Sequence, residues 1–340
     1  MNEAFQPVRW GILGAARIAE GAVLPGMMRS RYCAPVAIAA RDANRASAMA
    51  DKFDLSRSYG SYDALLADPE VEAVYVALPN HLHVEWARRA ANAGKHVLVE
   101  KPIALTAKEL AALDGVRPDL RIAEAFMVRH QPRWQALNEI LRSGQYGAPR
   151  TVSSLLSFMM TKADDFRTRP EWGGGALYDL GCYTAMAARF VFGREPLRAL
   201  AVCNRDQRGI DMFSSVILDF GEGRHAIMAV SLAQASAQTL QIVCERGFID
   251  LPKAYVPSRT EPNLIHIDIS ADHANSDVTT RAFDPLDQYE AEVSNFARAV
   301  RGEDVPFYGL DDARANMAVI DAIFASAERG AWANVSLGRN

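Results

Sequence analysis

VRWGILGAARIA, residues Val8–Ala19, sets a short apolar run, a glycine turn and the start of an amphipathic segment one after another. Val8–Leu13 reads as a strand. From Gly14 the chain spells G-x-A-x-x-A, a variant of the G-x-G-x-x-G/A turn that holds a dinucleotide pyrophosphate. Gly14 would make the tight turn. Ala16 is small enough for backbone N–H groups to reach a phosphate, Ala19 permits close helix–strand packing, and the helix N-terminus favours an anion. Gly14, Ala15, Ala16, Arg17 and Ile18 therefore form a candidate pyrophosphate cradle. A plain β–α turn fits the same letters. The place between a first strand and a first helix is the context that the dinucleotide motif requires.

Outward from this turn, short apolar runs alternate with amphipathic stretches. Helix is expected over Arg17–Met28, Asn44–Phe53 and Leu82–Ala93, and strand over Val36–Ala40, Val71–Leu78, His96–Glu100 and Arg121–Phe126. Thr106-Ala-Lys-Glu109 has the pattern of a capping box opening a further helix. Near-continuous apolar strands alternating with helices indicate a parallel sheet covered on both faces. After Gly147 the pattern changes. Thr151–Met160, Leu197–Cys203, Met212–Asp219, His225–Leu232, Leu240–Cys244, Phe248–Leu251 and Leu264–Ile269 read as strands with little helix between them, as in an antiparallel sheet. A helix spans about Ala176–Phe192, and two more, Gln288–Val300 and Leu310–Glu328, close the chain. The fold class is α/β: a Rossmann-type parallel sheet over 1–147, then an α+β domain with an open, mainly antiparallel sheet over 148–340. The last helices are candidates to pack back on the first domain.

Composition narrows the function. The 340 residues, 49% hydrophobic and 23% charged, exceed what one core usually holds, in keeping with two domains. A net charge of −4 and a pI near 6.0, without a Lys/Arg run, argue against nucleic acid as a partner. No apolar run approaches the ~20 residues of a membrane helix. The opening MNEAFQPVRWGIL has no basic segment followed by a long apolar core, so export is not expected. Cys33, Cys182, Cys203 and Cys244 form no C-x-x-C pair. They read as reduced thiols of a cytoplasmic protein, with no metal site expected. H-E-x-x-H and G-x-S-x-G are absent, which argues against metal-dependent or hydrolytic chemistry.

Three strand ends carry the candidate chemistry, because ligands of open α/β sheets bind beyond the carboxyl ends of the strands. The second strand ends Ala39-Ala40-Arg41-Asp42, with Arg45 one turn on. Arg41 and Arg45 point to the 2′-phosphate of NADP, while Asp42 keeps NAD possible as a ribose ligand. Leu78-Pro79-Asn80 ends another strand. HVLVEKPIA, His96–Ala104, ends an apolar strand in the charged pair Glu100-Lys101 and then Pro102, a candidate cis proline. Lys101 either sits beside a bound nicotinamide or is a surface lysine paired with Glu100. Further on, Trp172-Gly-Gly-Gly-Ala-Leu-Tyr-Asp179 leads to Tyr183. The glycines permit a sharp helix entry or close approach of a ligand. Asp179 and Tyr183, four apart, share a helix face. A phenol beside an ammonium can manage a proton; a Tyr anchored by an Asp at a domain interface fits the spacing equally.

Taken in order, GILGAARIA, AVYVALPNHLHVEWARRAANAGKHVLVEKPIA, EAFMVRHQPRW, GGGALYDLGCY and Gln288-Tyr289 resemble the Gfo/Idh/MocA oxidoreductase family over essentially the whole chain. The resemblance implies a dinucleotide-binding domain followed by an α/β domain whose open sheet mediates a homodimer or homotetramer. It makes Lys101 the active-site lysine and Asp179 the active-site aspartate. Tyr183 stands where many members carry histidine. In this it is similar to a narrower group: glucose–fructose oxidoreductase, NADP-dependent D-xylose 1-dehydrogenases and dimeric trans-dihydrodiol dehydrogenases. Asn80 and His83 match positions near the cofactor. Arg167 and Tyr289 match positions near the substrate pocket, where Trp172 is also placed. The implied activity is hydride transfer between NADP and a cyclic polyol, aldose or vicinal diol, with Tyr183 and Lys101 as acid/base pair. A non-catalytic dinucleotide-binding sensor of the same fold is the alternative; the presence of Lys101, Asp179 and Tyr183 argues against it.

Overall fold

The structure, a computed structural model, describes residues 6–162, 165–270 and 276–337. In chain order the elements of the first part are β1 (Val8–Leu13), α1 (Leu24–Arg29), β2 (Cys33–Ala39), α2 (Ala43–Lys52), β3 (Arg57–Tyr59), α3 (Tyr62–Leu66), β4 (Ala73–Val76), α4 (His83–Asn92), β5 (His96–Glu100) and β6 (Ile122–Ala125). There follow α5 (Pro132–Arg142), β7 (Pro149–Met159), α6 (Cys182–Phe192), β8 (Arg198–Arg205), β9 (Asp211–Asp219), β10 (His225–Ser231), β11 (Ala233–Cys244) and β12 (Phe248–Pro252). The last are β13 (Asn263–Asp268), β14 (Val278–Phe283), α7 (Gln288–Val300), α8 (Leu310–Arg329) and β15 (Ala333–Asn334). Among the described residues no helix is long and apolar enough to cross a membrane.

The chain forms two compact units. The first runs through Ala104 and takes up Lys108–His130 and Asp287–Ala313; the second holds Leu105–Ala107, Gln131–Leu286 and the chain from Arg314 on. In the first unit six parallel strands lie in the order β3-β2-β1-β4-β5-β6. This is the doubly wound order of dinucleotide-binding sheets, with its switch point between β1 and β4. The central strands are apolar throughout because both faces are covered: every residue of β4 and β6 is buried. One cover comes from far along the chain. From α7, Val293, Phe296 and Ala297 join the core, and the Phe296 ring lies 5.4 Å from that of Trp10 on β1. Helix α7 approaches α1 so closely that a Cβ on Gly26 would stand 2.8 Å from the Glu290 amide nitrogen.

In the second unit nine strands lie in the order β14-β13-β12-β11-β7-β10-β9-β8-β15. Every pair is antiparallel except β7–β10, which is parallel. Burial alternates along these strands, so one face is core and the other open. Val152, Ser154 and Leu156 point inward on β7, as do Ala226, Met228 and Val230 on β10. The open face carries Val202, Ile217, Ile227 and Val243 exposed, with Ile217 directly opposite Ile227.

Several expectations are refined. The compact units divide after His130, ahead of 147/148, because α5 is tied to the second unit: Arg133 donates to the carbonyls of Pro252 (2.8 Å) and Lys253 (2.7 Å), and the Trp134 indole to that of Ala254 (3.1 Å). The Thr106 capping pattern opens no α-helix. Ala107–Leu113 is a 3-10 segment, and the Ala107 amide donates to the Asp321 carboxylate at 2.9 Å. The edge strand β14 has no buried face to give it an alternating pattern, and it went unread.

Candidate active site

In the first unit the loops after β1, β2, β4 and β5 gather at the carboxyl end of the sheet. Gly14 has φ of 106°, and a Cβ there would meet the Ala77 carbonyl oxygen at 2.4 Å. Only glycine fits, because the loop after β4 crosses directly over the turn after β1. Beyond Ala15 and Ala16, Arg17 and Ile18 begin a helical run whose Ala19–Val23 stretch is a π-helical turn leading into α1. Such π-turns often accompany functional sites.

At the end of β2, Arg41 and Arg45 are exposed, and Arg45 reaches across to donate to the Ala15 carbonyl at 2.7 Å. Asp42 is the N-cap of α2 and accepts the Asn44 amide at 2.9 Å. Its carboxylate is thereby given a structural task. Burial raises the pKa of Tyr62, opposed by the neighbouring Arg41 charge.

After β4, Leu78 and Pro79 lead into a 3-10 turn holding the buried Asn80. His83 is fully buried; one ring nitrogen lies 2.7 Å from the Leu78 carbonyl and the other 2.7 Å from the Pro102 carbonyl. Burial drives its pKa down to about 4, against the pull of those two oxygens. The His83 ring thus lies between the loop after β4 and the loop after β5, and as a neutral imidazole it donates to one of the two carbonyls.

The Lys101–Pro102 bond is cis. Glu100 accepts the Tyr75 hydroxyl on one oxygen and the Lys101 amide, at 3.2 Å, on the other. Behind it stands Glu292 on α7, 1% exposed, with neither carboxyl oxygen hydrogen-bonded. Burial and the nearby Glu100 charge raise the Glu292 pKa well above the ordinary carboxylate range. Both influences favour the protonated form of this acid. Glu292 was missed, though a signal existed: an acidic residue on the stripe with Val293 and Phe296. Tyr289 also belongs to this unit, packed on its apolar core.

The second unit presents the other candidates. Its three glycines have separate reasons. Gly173 is left-handed, at φ 75°, and closes a 3-10 turn that ends in Trp172. A Cβ on Gly174 would stand 2.4 Å from the Arg167 carbonyl oxygen. One on Gly175, at φ 123°, would stand 1.9 Å from an Asp211 carboxylate oxygen. The helix then starts with a π-turn, Leu177–Gly181, before α6. Asp179 lies in the π-turn and Tyr183 in the first turn of α6; they are 3% and 6% exposed. Asp179 accepts the Arg167 Nε–H at 2.6 Å, and Arg167 also donates to Asp165 at 3.1 Å. Burial works against the Arg167 charge, but the two carboxylates outweigh it and raise its pKa. The Tyr183 ring lies 6.1 Å from Tyr255. Arg169 covers the Trp172 ring at 4.6 Å.

Of the candidates, Gly14 through Ile18, Arg41, Arg45, Leu78, Pro79, Asn80, His83, Glu100, Lys101 and Tyr289 fall in the first unit; Arg167, Trp172, Asp179 and Tyr183 fall in the second. Arg167 and Asp179 are joined directly. Asp165 and Asp211, which hold Arg167 and the helix entry, sit in no sequence motif.

Residues 8–115 match the GFO/IDH/MocA oxidoreductase family, with its NAD-binding Rossmann fold, and residues 134–250 match the GFO/IDH/MocA C-terminal domain. The chain is 43% identical over 332 residues to an uncharacterized oxidoreductase of Rhizobium meliloti, covering 96% of this chain and 99% of the relative. It is 37% identical to a D-xylose 1-dehydrogenase (NADP+) of Haloferax volcanii, with 95% and 98% covered. A 3-ketoreductase from Actinomadura kijaniata, solved in complex with NADP and TDP-benzene, superposes with a TM-score of 0.87 at 28% identity, with 94% and 98% covered.

Proposed function

This chain belongs to the Gfo/Idh/MocA oxidoreductase family and is an NAD(P)-dependent dehydrogenase or reductase of CH–OH groups, and from that premise we propose that it uses NADP and acts on a cyclic polyol, an aldose or a vicinal diol. The observation that carries the cofactor half is the end of β2. Asp42 spends one carboxylate oxygen on the cap of α2, while Arg41 and Arg45 stand exposed, Arg45 on the Ala15 carbonyl of the glycine turn. Two guanidinium groups at this strand end support a 2′-phosphate ligand over a ribose diol held by a carboxylate. The cradle fits the group in kind: Gly14, held at positive φ under the Ala77 carbonyl, sets a tight turn after β1, and the small Ala15 and Ala16 follow it at the start of a helical run. Gly14 through Ile18 would hold the pyrophosphate, and Leu78, Pro79, Asn80, Glu100 and Lys101 the nicotinamide end. The name of the Haloferax volcanii relative supports both the cofactor and the aldose class.

When bound, nicotinamide supplies or accepts hydride at C4. In the oxidation direction the substrate C–H bond breaks with its electron pair leaving as hydride, and the O–H proton passes to the Tyr183 oxygen. Lys101 would keep Tyr183 poised as the proton acceptor and polarise the substrate oxygen. Asp179, fixed by Arg167, orients the polar groups around the reacting carbon; Arg167, Trp172 and Tyr289 are assigned to substrate binding. A second copy of the chain is assigned to the open face of the nine-stranded sheet, making a homodimer or homotetramer.

The test is turnover of NADP+ and, separately, NAD+ against aldoses, inositols and trans-dihydrodiols, read as absorbance of the reduced nicotinamide. Turnover with one class and a preference for NADP+ is expected. Tight cofactor binding without turnover across the panel would overturn the substrate class and favour a sensor. Tyr183→Phe is expected to lower kcat by roughly 10²–10⁴ with NADP+ affinity unchanged; a near-normal kcat would remove Tyr183 from the mechanism.

A further inference from the structure

The helix that carries Asp179 and Tyr183 begins without a cap of its own. Ala176 precedes it in helical conformation and makes no side-chain capping bond. Its first N–H groups would be orphaned. The acceptor arrives from a strand more than thirty residues further on. Asp211, the first residue of β9, accepts the Leu177 amide at 2.7 Å through one carboxylate oxygen. The other oxygen stands where a Cβ on Gly175 would be. Asp211 is 1% exposed, so the carboxylate is enclosed by these partners.

We propose that Asp211 is a positioning residue whose carboxylate fixes the start of the helix that presents Asp179 and Tyr183. The inference rests on the assignment of that helix to the chemistry. Its physical basis is independent: an anion at a helix N-terminus is favoured by the orphan N–H groups and by the helix dipole. A π-turn immediately follows, and Asp179 bonds back to Gly175, its amide 3.1 Å from the Gly175 carbonyl. A shift at Gly175 or Leu177 is therefore handed to Asp179 within one turn. The third glycine of the motif is explained as well, since alanine at 175 and aspartate at 211 cannot occupy the same space.

The groups facing the Asp211 carboxylate are few. Leu177 N–H comes from the helix and the Ser214 hydroxyl, at 3.4 Å, from β9 itself. Arg205 is its cross-strand partner on β8, and Cys203, also on β8, has its sulfur 3.2 Å from the Ser214 hydroxyl oxygen. Burial pushes the Asp211 pKa up to about 6, opposed by Leu177 N–H, Arg205 and Ser214. Protonation weakens the acceptor at the helix start, so the placement of Asp179 and Tyr183 loosens as pH falls through that value.

The experiment compares the full-length wild type with Asp211→Asn, Ser214→Ala and Tyr183→Phe. Readouts are kcat against pH, NADP+ affinity, and hydrogen-exchange protection of the Leu177 amide at pH 5 and pH 8. The wild type is expected to lose kcat below about pH 6. Asp211→Asn is expected to lose roughly 10- to 100-fold in kcat, the range of a small misplacement of reacting groups. Its affinity for NADP+ stays unchanged, and its Leu177 protection no longer depends on pH. Ser214→Ala, which keeps the carboxylate and covers the case in which the first variant does not fold, is expected to move the acid limb to higher pH. Wild-type kcat and limb in Asp211→Asn, or an unmoved limb in Ser214→Ala, would overturn the proposal. If Tyr183→Phe is inactive while Asp211→Asn behaves as wild type, only the positioning role fails. If Tyr183→Phe is fully active, the assignment of the helix fails, and Leu177 protection alone still reports the cap.

Discussion

Glu292 is buried inside the first unit, where burial and the Glu100 charge favour its protonated form, whereas its unfolded counterpart would be ionised at neutral pH. With its pKa raised in the folded state, unfolding releases a proton wherever the pH lies above the ordinary value of 4.5. The folded state therefore loses stability as pH rises from there toward the folded pKa, by up to about 1.4 kcal/mol per pH unit. Glu292→Gln is expected to flatten that slope in urea titrations at pH 5, 6, 7 and 8; an unchanged slope would mean that Glu292 is ionised in the fold. At the opposite end of the cofactor site, Arg41→Ala is expected to weaken NADP+ roughly 10- to 100-fold and NAD+ hardly at all, because the lost partner is a phosphate only NADP carries. Isothermal titration with both nucleotides reads the difference, and equal losses would separate Arg41 from the 2′-phosphate.

At the scale of elements, the two glycine motifs solve one problem in the same way. Each lets a backbone or a carboxylate cross directly over a turn, and each is followed by a π-turn. Gly175→Ala is expected to cost more than about 1 kcal/mol, from its positive φ and the Asp211 oxygen in its way. Gly21→Ala, where nothing lies within 4 Å, is expected to gain roughly 0.5–1 kcal/mol from helix propensity alone. Thermal melts of the two variants should move in opposite directions. These motifs could be read from the sequence because a glycine's need is local and recurs as a pattern. The strand ends at Arg41, Leu78 and Lys101 were legible for the same reason, since periodicity places them and topology then gathers them. Asp211 was not, because it matters through a partner far along the chain; Glu292 left only the faint mark of an acid on an apolar stripe, and its neighbour Glu100 is likewise remote in sequence. Likewise β7 and β10 alternate like their antiparallel neighbours, and nothing in either strand records that they run parallel.

At the scale of the molecule, the nine-stranded sheet leaves an apolar face with Ile217 and Ile227 paired across its middle and Val202 and Val243 on either side. An exposed apolar patch of this kind is the surface to which the proposed second copy of the chain is assigned. Light scattering at micromolar concentration is expected to give the mass of a dimer or tetramer. Ile227→Lys is expected to shift it toward one chain, and a monomeric wild type would leave the face without its second copy. The return of α7 to the first unit has a different consequence, for the order in which the protein can be made. Trp10 emerges from the ribosome early, but Phe296, which covers it, follows only after the whole of 131–286. At about 5–20 residues per second that delay is roughly 8–30 s. For that time the sheet residues of the nascent chain are out without the α7 flank that covers Trp10, so the first unit cannot be sealed until the whole of 131–286 has been made.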